Sequence, residues 1–201
     1  MPEPNAKRVV IWGASGHARV VADALRLSGW QIVGFIDDIA QERRNQPFAS
    51  STVLGGTDRF EELLRNGVRY MAIGIGDNRA RLALGERAEK AGFVLVNAVH
   101  PSAIIASDVV LGNGVLIAAN TVINPAARIG DLAIVNTAAV VEHDCLLAIG
   151  VHLAPGAVLA GSVRVGRGSW VGVGAVVIEH RIIGNHVRVG AGATVICDVP
   201  D

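Results

Sequence analysis

From Val99 to Val195 every sixth residue is a branched aliphatic, seventeen in succession without an exception. The series runs Val99, Ile105, Leu111, Ile117, Ile123, Ile129, Val135, Val141, Leu147, Leu153, Leu159, Val165, Val171, Val177, Ile183, Val189, Val195. Helices space their apolar residues by three and four, and half-buried strands by two, so a strict six fits neither. It fits a parallel β-helix of short strands and corners, one hexapeptide to a face. The residue after each aliphatic is Gly or Ala at eleven of the seventeen places, which predicts tight corners there. Four residues on, the side chain is again small or β-branched, as in Ala103, Val109, Thr121, Ala133, Ala139, Cys145 and Ala157. Two inward sites per hexapeptide fill a narrow prism with no room for bulk, which accounts for an aromatic content of only 4%. At about eighteen residues per three-sided coil, the segment supplies roughly five coils. The flanks of such a rod remain apolar or small, so rods can pack side by side in closed cyclic symmetry. At Glu179-His180-Arg181 the large Arg181 takes an inward site, and a loop leaving the rod is predicted there.

The first ninety-odd residues have another rhythm. Val9 to Trp12 reads as a buried strand, Gly13 to His17 as a turn and Ala18 to Leu27 as a helix, with Val20, Val21, Ala24 and Leu25 at helical spacing. Strand Gln31 to Ile36, helix Asp58 to Leu64, strand Tyr70 to Ile75, helix Arg79 to Ala91 and strand Phe93 to Val96 follow. This alternation predicts a small Rossmann-like parallel sheet with helical crossovers. The polar run Gln41 to Ser51 reads as a flexible surface loop. His100-Pro101 ends the alternation, so the expected domains are an α/β unit over 1–98 and a β-helix over 99–201.

Composition narrows the functional classes. A formal net charge of zero makes no electrostatic case for nucleic acid or an acidic membrane surface. Mean hydropathy is high at +0.42, but the apolar residues are spread through the repeat. The most membrane-like stretch, Leu146 to Gly161, is short and carries His152 and Pro155, so no spanning helix is expected. The opening residues are polar and the first apolar run becomes a strand, so no signal peptide is read and the expected location is cytoplasmic. Cys145 and Cys197 are expected to be reduced packing residues.

Two places could carry chemistry. The turn Gly13-Ala14-Ser15-Gly16 between strand and helix offers backbone N–H groups and a helix N-terminus to an anion, with His17 directly after it. Asp37 and Asp38 end the next strand, where a Rossmann unit reads a ribose or base. The full G-x-G-x-x-G spacing is lacking, so a mononucleotide or nucleotide-sugar fits better than NAD; the bland alternative is a plain strand-to-helix turn. Gly76-Asp77-Asn78 either lines the same pocket or caps the helix from Arg79. In the repeat, Glu142-His143-Asp144 sets an imidazole between two carboxylates; a neighbouring carboxylate fixes the tautomer and raises basicity, while a solvated turn is the alternative. Asn136 lies seven residues before His143 and His152 nine after it, with His180 and His186 further on. The H-x-x-x-x-H spacing of β-helix zinc sites is absent, so no metal is expected.

Together Trp12-Gly13-Ala14-Ser15-Gly16-His17, Phe35-Ile36-Asp37-Asp38, Ile75-Gly76-Asp77-Asn78, Val96 to Pro101, Asn136 to Cys145 and Val151 to Ala157 resemble, over the full length, the bacterial nucleotide-sugar acetyltransferases. That family is typified by the UDP-4-amino-sugar N-acetyltransferase of bacillosamine biosynthesis, and the sialic-acid O-acetyltransferases are similar. The resemblance implies a homotrimer of left-handed β-helices with acetyl-CoA between adjacent rods and the nucleotide-sugar on the amino-terminal domain. It implies His143 as general base, Asp144 as its acidic neighbour (Glu is usual in the family), and Asn136 positioning the sugar amine or the base. It further implies His152 against acetyl-CoA, the Gly161 N–H on the oxyanion, and Val173 and Ala191 along the coenzyme channel. Relatives continue past Val199-Pro200-Asp201 with a short tail, so either part of the coenzyme pocket is lacking here or the sequence is a piece of a longer chain. The reaction implied is acetylation of a 4-amino-4,6-dideoxy sugar on UDP, GDP or dTDP, GDP-perosamine being one, for a bacterial surface glycan such as a lipopolysaccharide O-antigen. Sugar O-acetylation and a non-catalytic nucleotide-sugar-binding role are the alternatives.

Overall fold

The computed structural model describes residues 7–39 and 41–201. The polar opening residues therefore lie largely outside the described part. The chain falls into two compact units, Met1–Ala98 and Val99–Asp201.

The first unit is built on β1 (Arg8–Trp12), α1 (Gly16–Leu27), β2 (Gln31–Ile36), β3 (Pro47–Phe48), β4 (Ser51–Gly55), α2 (Phe60–Arg65), β5 (Tyr70–Ile73), α3 (Asn78–Lys90) and β6 (Val94–Leu95). Strand order is β3-β4-β2-β1-β5-β6, parallel throughout except for the β3–β4 hairpin. Val9, Val10 and Ile11 of the central strand are fully buried, as a strand covered on both faces requires. Helix α1 contributes Ala18, Val21, Ala22, Ala24 and Leu25 to the core. Edge-to-face ring pairs extend the packing through Trp12, Phe60 and Phe93, with centroids 4.9 and 5.0 Å apart. The expected loop at Gln41 to Ser51 is not a flexible loop. It forms a 3₁₀ turn and then the hairpin arm β3, held by buried Phe48 edge-on to Phe35 at 4.8 Å. One apolar anchor in a polar run gives no periodicity, and β4 was missed for the same reason.

The second unit is a parallel β-helix. Seventeen two-residue strands, from Ala98–Val99 to Thr194–Val195 (β7–β23), stack in three sheets of six, six and five. Residues pair with those eighteen on, for example Ile134 with His152 and Val135 with Leu153. The sixth-residue aliphatics and the small residues four further on point inward together. Val141, Leu147, Leu153 and Leu159 share the axis with Ala139, Cys145, Val151 and Ala157, all 1% exposed or less.

The corners differ from expectation in their physical cause. From Leu111 to Val189 the left-handed backbone falls three residues after the aliphatic, at Gly114, Asn120, Ala126, Leu132, Ala138, Asp144, Gly150, Gly156, Ser162 and onwards. The small residue directly after the aliphatic answers a different demand. A Cβ on Gly130 would stand 2.7 Å from the backbone of Ala148 and Ile149 in the next coil. Close approach of successive coils, not turn strain, selects glycine there.

The loop predicted at Arg181 does not form. The coil runs on unbroken through β21 (Ile182–Ile183), because Arg181 is only half-buried and its head group finds partners at the surface. Its Nε donates to the Glu179 carbonyl at 3.1 Å, and its guanidinium lies 3.7 Å from Asp198. Cys145 is a buried packing residue as expected, whereas Cys197 is exposed, being past the last inward aliphatic; neither forms a disulfide. No described helix is long and apolar enough to cross a membrane.

Candidate active site

In the first unit, β1 is flanked by β2 on one side and β5 on the other, so the sheet reverses its direction of growth at β1. Open α/β sheets bind ligands at the carboxyl end of such a switch point. The Gly13–His17 turn is there, tied on both sides: Gly13 N–H donates to Ile36 O, and Gly74 N–H to Trp12 O, both at 2.7 Å. Gly13 has φ +117°, and a Cβ would strike the Ile75 side chain at 2.7 Å, so no other residue fits. Ser15 is the N-cap of α1 but its hydroxyl makes no cap bond, and the first turn holds no acidic residue. That helix end stays receptive to an anion.

The two aspartates of β2's end have defined tasks. Asp37 accepts the Ala14 N–H (3.1 Å) and the Ile39 N–H (2.9 Å), while Asp38 accepts the Thr57 N–H (2.7 Å). Each carboxylate thus stitches neighbouring loops at the sheet edge. They also border a 380 Å³ cavity completed by Arg44, Val53, Gly55, Gly56, Thr57 and Asp58.

His17 is half-buried beside Gly76. Burial, with the Arg81 cation second, pushes its imidazole down to about 4, so it is neutral at pH 7. It offers a ligand hydrogen bonds but no positive charge. Arg81 itself is 1% exposed and donates to Gly76 O and to Asn78 Oδ1, both at 2.9 Å. Burial lowers this guanidinium to about 10, which still leaves it charged. Sequence reasoning missed Arg81; its signal was a cation one turn after the helix cap Asp77, whose Oδ1 accepts the Ala80 N–H at 2.8 Å. Asp77 and Asn78 are thus the cap that was one of their two readings. Arg43, also missed, donates to Ala14 O at 2.8 Å and pins the glycine turn.

In the β-helix the candidates divide between two corners. His143 and Asp144 follow β14 (Val140–Val141). The imidazole Nδ1–H donates to Asp144 Oδ2 at 2.7 Å, so the shorter aspartate completes the pair. The left-handed backbone of Asp144, φ +59°, turns its carboxylate back toward the ring. Of the two flanking carboxylates only Asp144 pairs with His143. Eighteen residues on, Gly161 lies against the imidazole: a Cβ there would fall 2.7 Å from both Cε1 and Nε2. The Gly161 N–H has no acceptor among the described residues. Base, carboxylate and a free N–H therefore share one corner.

Asn136 is at the opposite end of the β14 hexapeptide, on the corner before it. Its Nδ2 donates to His152 Nε2 at 3.2 Å, and its Oδ1 accepts the Thr137 N–H at 2.8 Å. His152 is 8% exposed and edge-on to Trp170 at 6.5 Å. Val173 and Ala191 are exposed and stack on this same corner, where Gly192 N–H donates to Val173 O at 2.8 Å. Within one chain, then, Asn136, His152, Val173 and Ala191 are not beside His143 and Gly161. His180 stacks on the His143–Gly161 corner, where its N–H donates to Gly161 O at 3.0 Å, and His186 falls on the third corner; no group of three metal-ligating side chains occurs among the described residues.

Comparison with known proteins gives these geometries a family. The model of the PglD N-terminal domain matches residues 8–88. The GDP-perosamine N-acetyltransferase of Caulobacter crescentus, solved as a His-to-Ala variant with CoA and GDP-perosamine, is 42% identical over 99% of this chain and 92% of its own, with a TM-score of 0.93. The chain belongs to the nucleotide-sugar N-acetyltransferases. Its β-helix is the left-handed one of that family. PerB from Caulobacter crescentus, with CoA and GDP-perosamine bound, matches at 42% identity over the same shares of the two chains, with a TM-score of 0.91. The acetyltransferase domain of PglB from Neisseria gonorrhoeae, in complex with acetyl coenzyme A, is 35% identical over 98% of this chain and 94% of its own, with a TM-score of 0.90.

Proposed function

We propose that this nucleotide-sugar N-acetyltransferase moves acetyl from acetyl-CoA to the 4-amino group of a 4-amino-4,6-dideoxy sugar carried on a nucleoside diphosphate. The 42% identity to an enzyme crystallised with CoA and GDP-perosamine supports a GDP-linked sugar. The observation that carries the mechanism is the His143–Asp144–Gly161 corner. With Nδ1–H held by Asp144, the lone pair of Nε2 is free to accept a proton. The sugar amine attacks the thioester carbonyl and loses its proton to Nε2. The Gly161 N–H donates to the oxyanion as the tetrahedral intermediate forms. Collapse breaks the C–S bond, and the imidazolium returns its proton to the departing thiolate of CoA. The neutral amide and the free thiol leave.

The first unit holds the nucleotide-sugar at its switch point, and the second transfers the acetyl group. The outer ladder between the two corners is Ile104, Val122, Val140, Val158, Val176 and Thr194, without a charge. Three rods closed about this face would set the His143 corner of one subunit against the Asn136–His152–Val173–Ala191 corner of the next, which supports a trimer with shared sites. Because acetyl-CoA is a cytoplasmic metabolite, the enzyme works in the cytoplasm, supplying acetylated sugar for a surface glycan. The test is product mass spectrometry after incubation with acetyl-CoA and GDP-perosamine. An N-acetylated nucleotide-sugar is expected, and unchanged sugar with every amine offered would refute the reading.

A further inference from the structure

Beside the His143–Asp144 corner, one face of the rod carries a groove that the reaction above does not use. Its volume is 630 Å³, and its walls include Arg128, Arg164, Ser162, His180 and Asp144 around an apolar floor of Leu146 and Ile182. Arg128 pairs with Leu146, Leu146 with Arg164, and Arg164 with Ile182 in one outward-facing ladder. Rungs of a sheet are about 4.8 Å apart, so the two arginine backbones stand about 10 Å apart on one face. The fold does not require cations there, since the ladder of the neighbouring sheet is aliphatic and Thr throughout. Both arginines are exposed, and neither has a carboxylate at ion-pair distance among the described residues. Asp144, the one acid in the groove walls, already accepts from His143 at 2.7 Å. Surfaces built only for solubility intersperse the two signs, whereas this ladder carries two cations and no acid, and the one acid on its rim is already paired. Guanidinium groups are the side chains best shaped for phosphate oxygens, which they meet in paired hydrogen bonds.

We propose that the Arg128–Arg164 groove is a diphosphate subsite that seats one of the two nucleotide-bearing substrates beside the reacting corner. The proposal rests on the acetyl-transfer reading, in which acetyl-CoA and the nucleotide-sugar each bring a diphosphate. Arg164 and Arg128 grip the phosphate oxygens, Ser162 donates a further hydrogen bond, and the apolar floor receives the carbon chain that leads to the reacting atom.

Arg128→Gln, Arg164→Gln and their Lys counterparts are to be titrated calorimetrically with CoA and, separately, with GDP, and assayed for the KM of each substrate. Each Gln substitution is expected to weaken one of the two ligands about tenfold or more while the other stays within about twofold. The KM of the corresponding substrate rises in step with kcat nearly constant, and the Lys variants recover part of the loss. Which ligand weakens identifies the diphosphate. Unchanged affinity for both ligands overturns the proposal, as does a joint fall of both affinities and kcat, which would mark a folding defect. The two readings fail separately: wild type that binds CoA and GDP yet acetylates no amine refutes the reaction, whereas active Gln variants that bind both ligands normally refute the groove.

Discussion

Gly161→Ala isolates the placement of the base from the stability of the fold. The Cβ would stand 2.7 Å from Cε1 and Nε2 of His143, so the ring must retreat by about 0.8 Å to reach ordinary contact. Nothing else has to move, because Gly161 lies outside the left-handed region where alanine is strained. The imidazole side chain is 60% exposed and free to swing. Displacing a reacting group by about 1 Å costs on the order of a hundredfold, so kcat should fall about 30- to 100-fold. Tm should stay within about 2 °C of wild type, since no core atom shifts. The assay is thiol release from acetyl-CoA at saturating nucleotide-sugar, with Gly190→Ala as control, where an added Cβ meets nothing within 4 Å. A kcat within threefold of wild type would refute the role of this contact. So would a fall in Tm of about 8 °C or more, which would show the rod, not the ring, absorbing the methyl group.

Other substitutions separate the remaining contributions. Asp144→Asn should lower kcat through the lost carboxylate while leaving urea stability within about 1 kcal/mol, because the His143–Asp144 pair is exposed on both sides. Gly130→Ala should do the reverse, costing about 1–3 kcal/mol in chemical denaturation with normal kcat per folded molecule, since backbone atoms 2.7 Å away cannot retreat. His17 gives the first unit a pH dependence of stability. Its folded value, about 4, lies below the ordinary 6.5, so at intermediate pH the unfolded chain binds the proton and the folded chain does not. Stability is therefore lost as pH falls from 6.5 through 4, by at most roughly 3 kcal/mol. His17→Asn should flatten this slope in urea titrations at pH 7 and 5, and an unchanged slope would contradict the assignment.

The rod was legible because its pattern is local and repeats: each inward aliphatic answers to the same strand position. The corner chemistry was less so, since the glycine that contacts the next coil and the residue with left-handed backbone are two apart, and composition does not distinguish them. Arg181 misled because a long side chain at an inward position can reach partners at the surface, here the Glu179 carbonyl and Asp198, without breaking the coil. In the first unit Gly13 and Asp37 could be read from spacing, whereas Arg81, Arg43 and the β3–β4 hairpin depend on contacts between distant segments. The division of His143 and Asn136 between two corners follows from the period itself: seven residues is one hexapeptide face plus one.

The central claim is that His143 is the base of an acetyl transfer to a nucleotide-linked amine. The most direct measurement is thiol release with acetyl-CoA and GDP-, UDP- and dTDP-linked 4-amino-4,6-dideoxy sugars, wild type beside His143→Ala. The account predicts turnover on one nucleotide-sugar and a loss of about a hundred- to ten-thousandfold in the variant. Turnover that survives the loss of His143 within a few fold, or none on any amine, would contradict it.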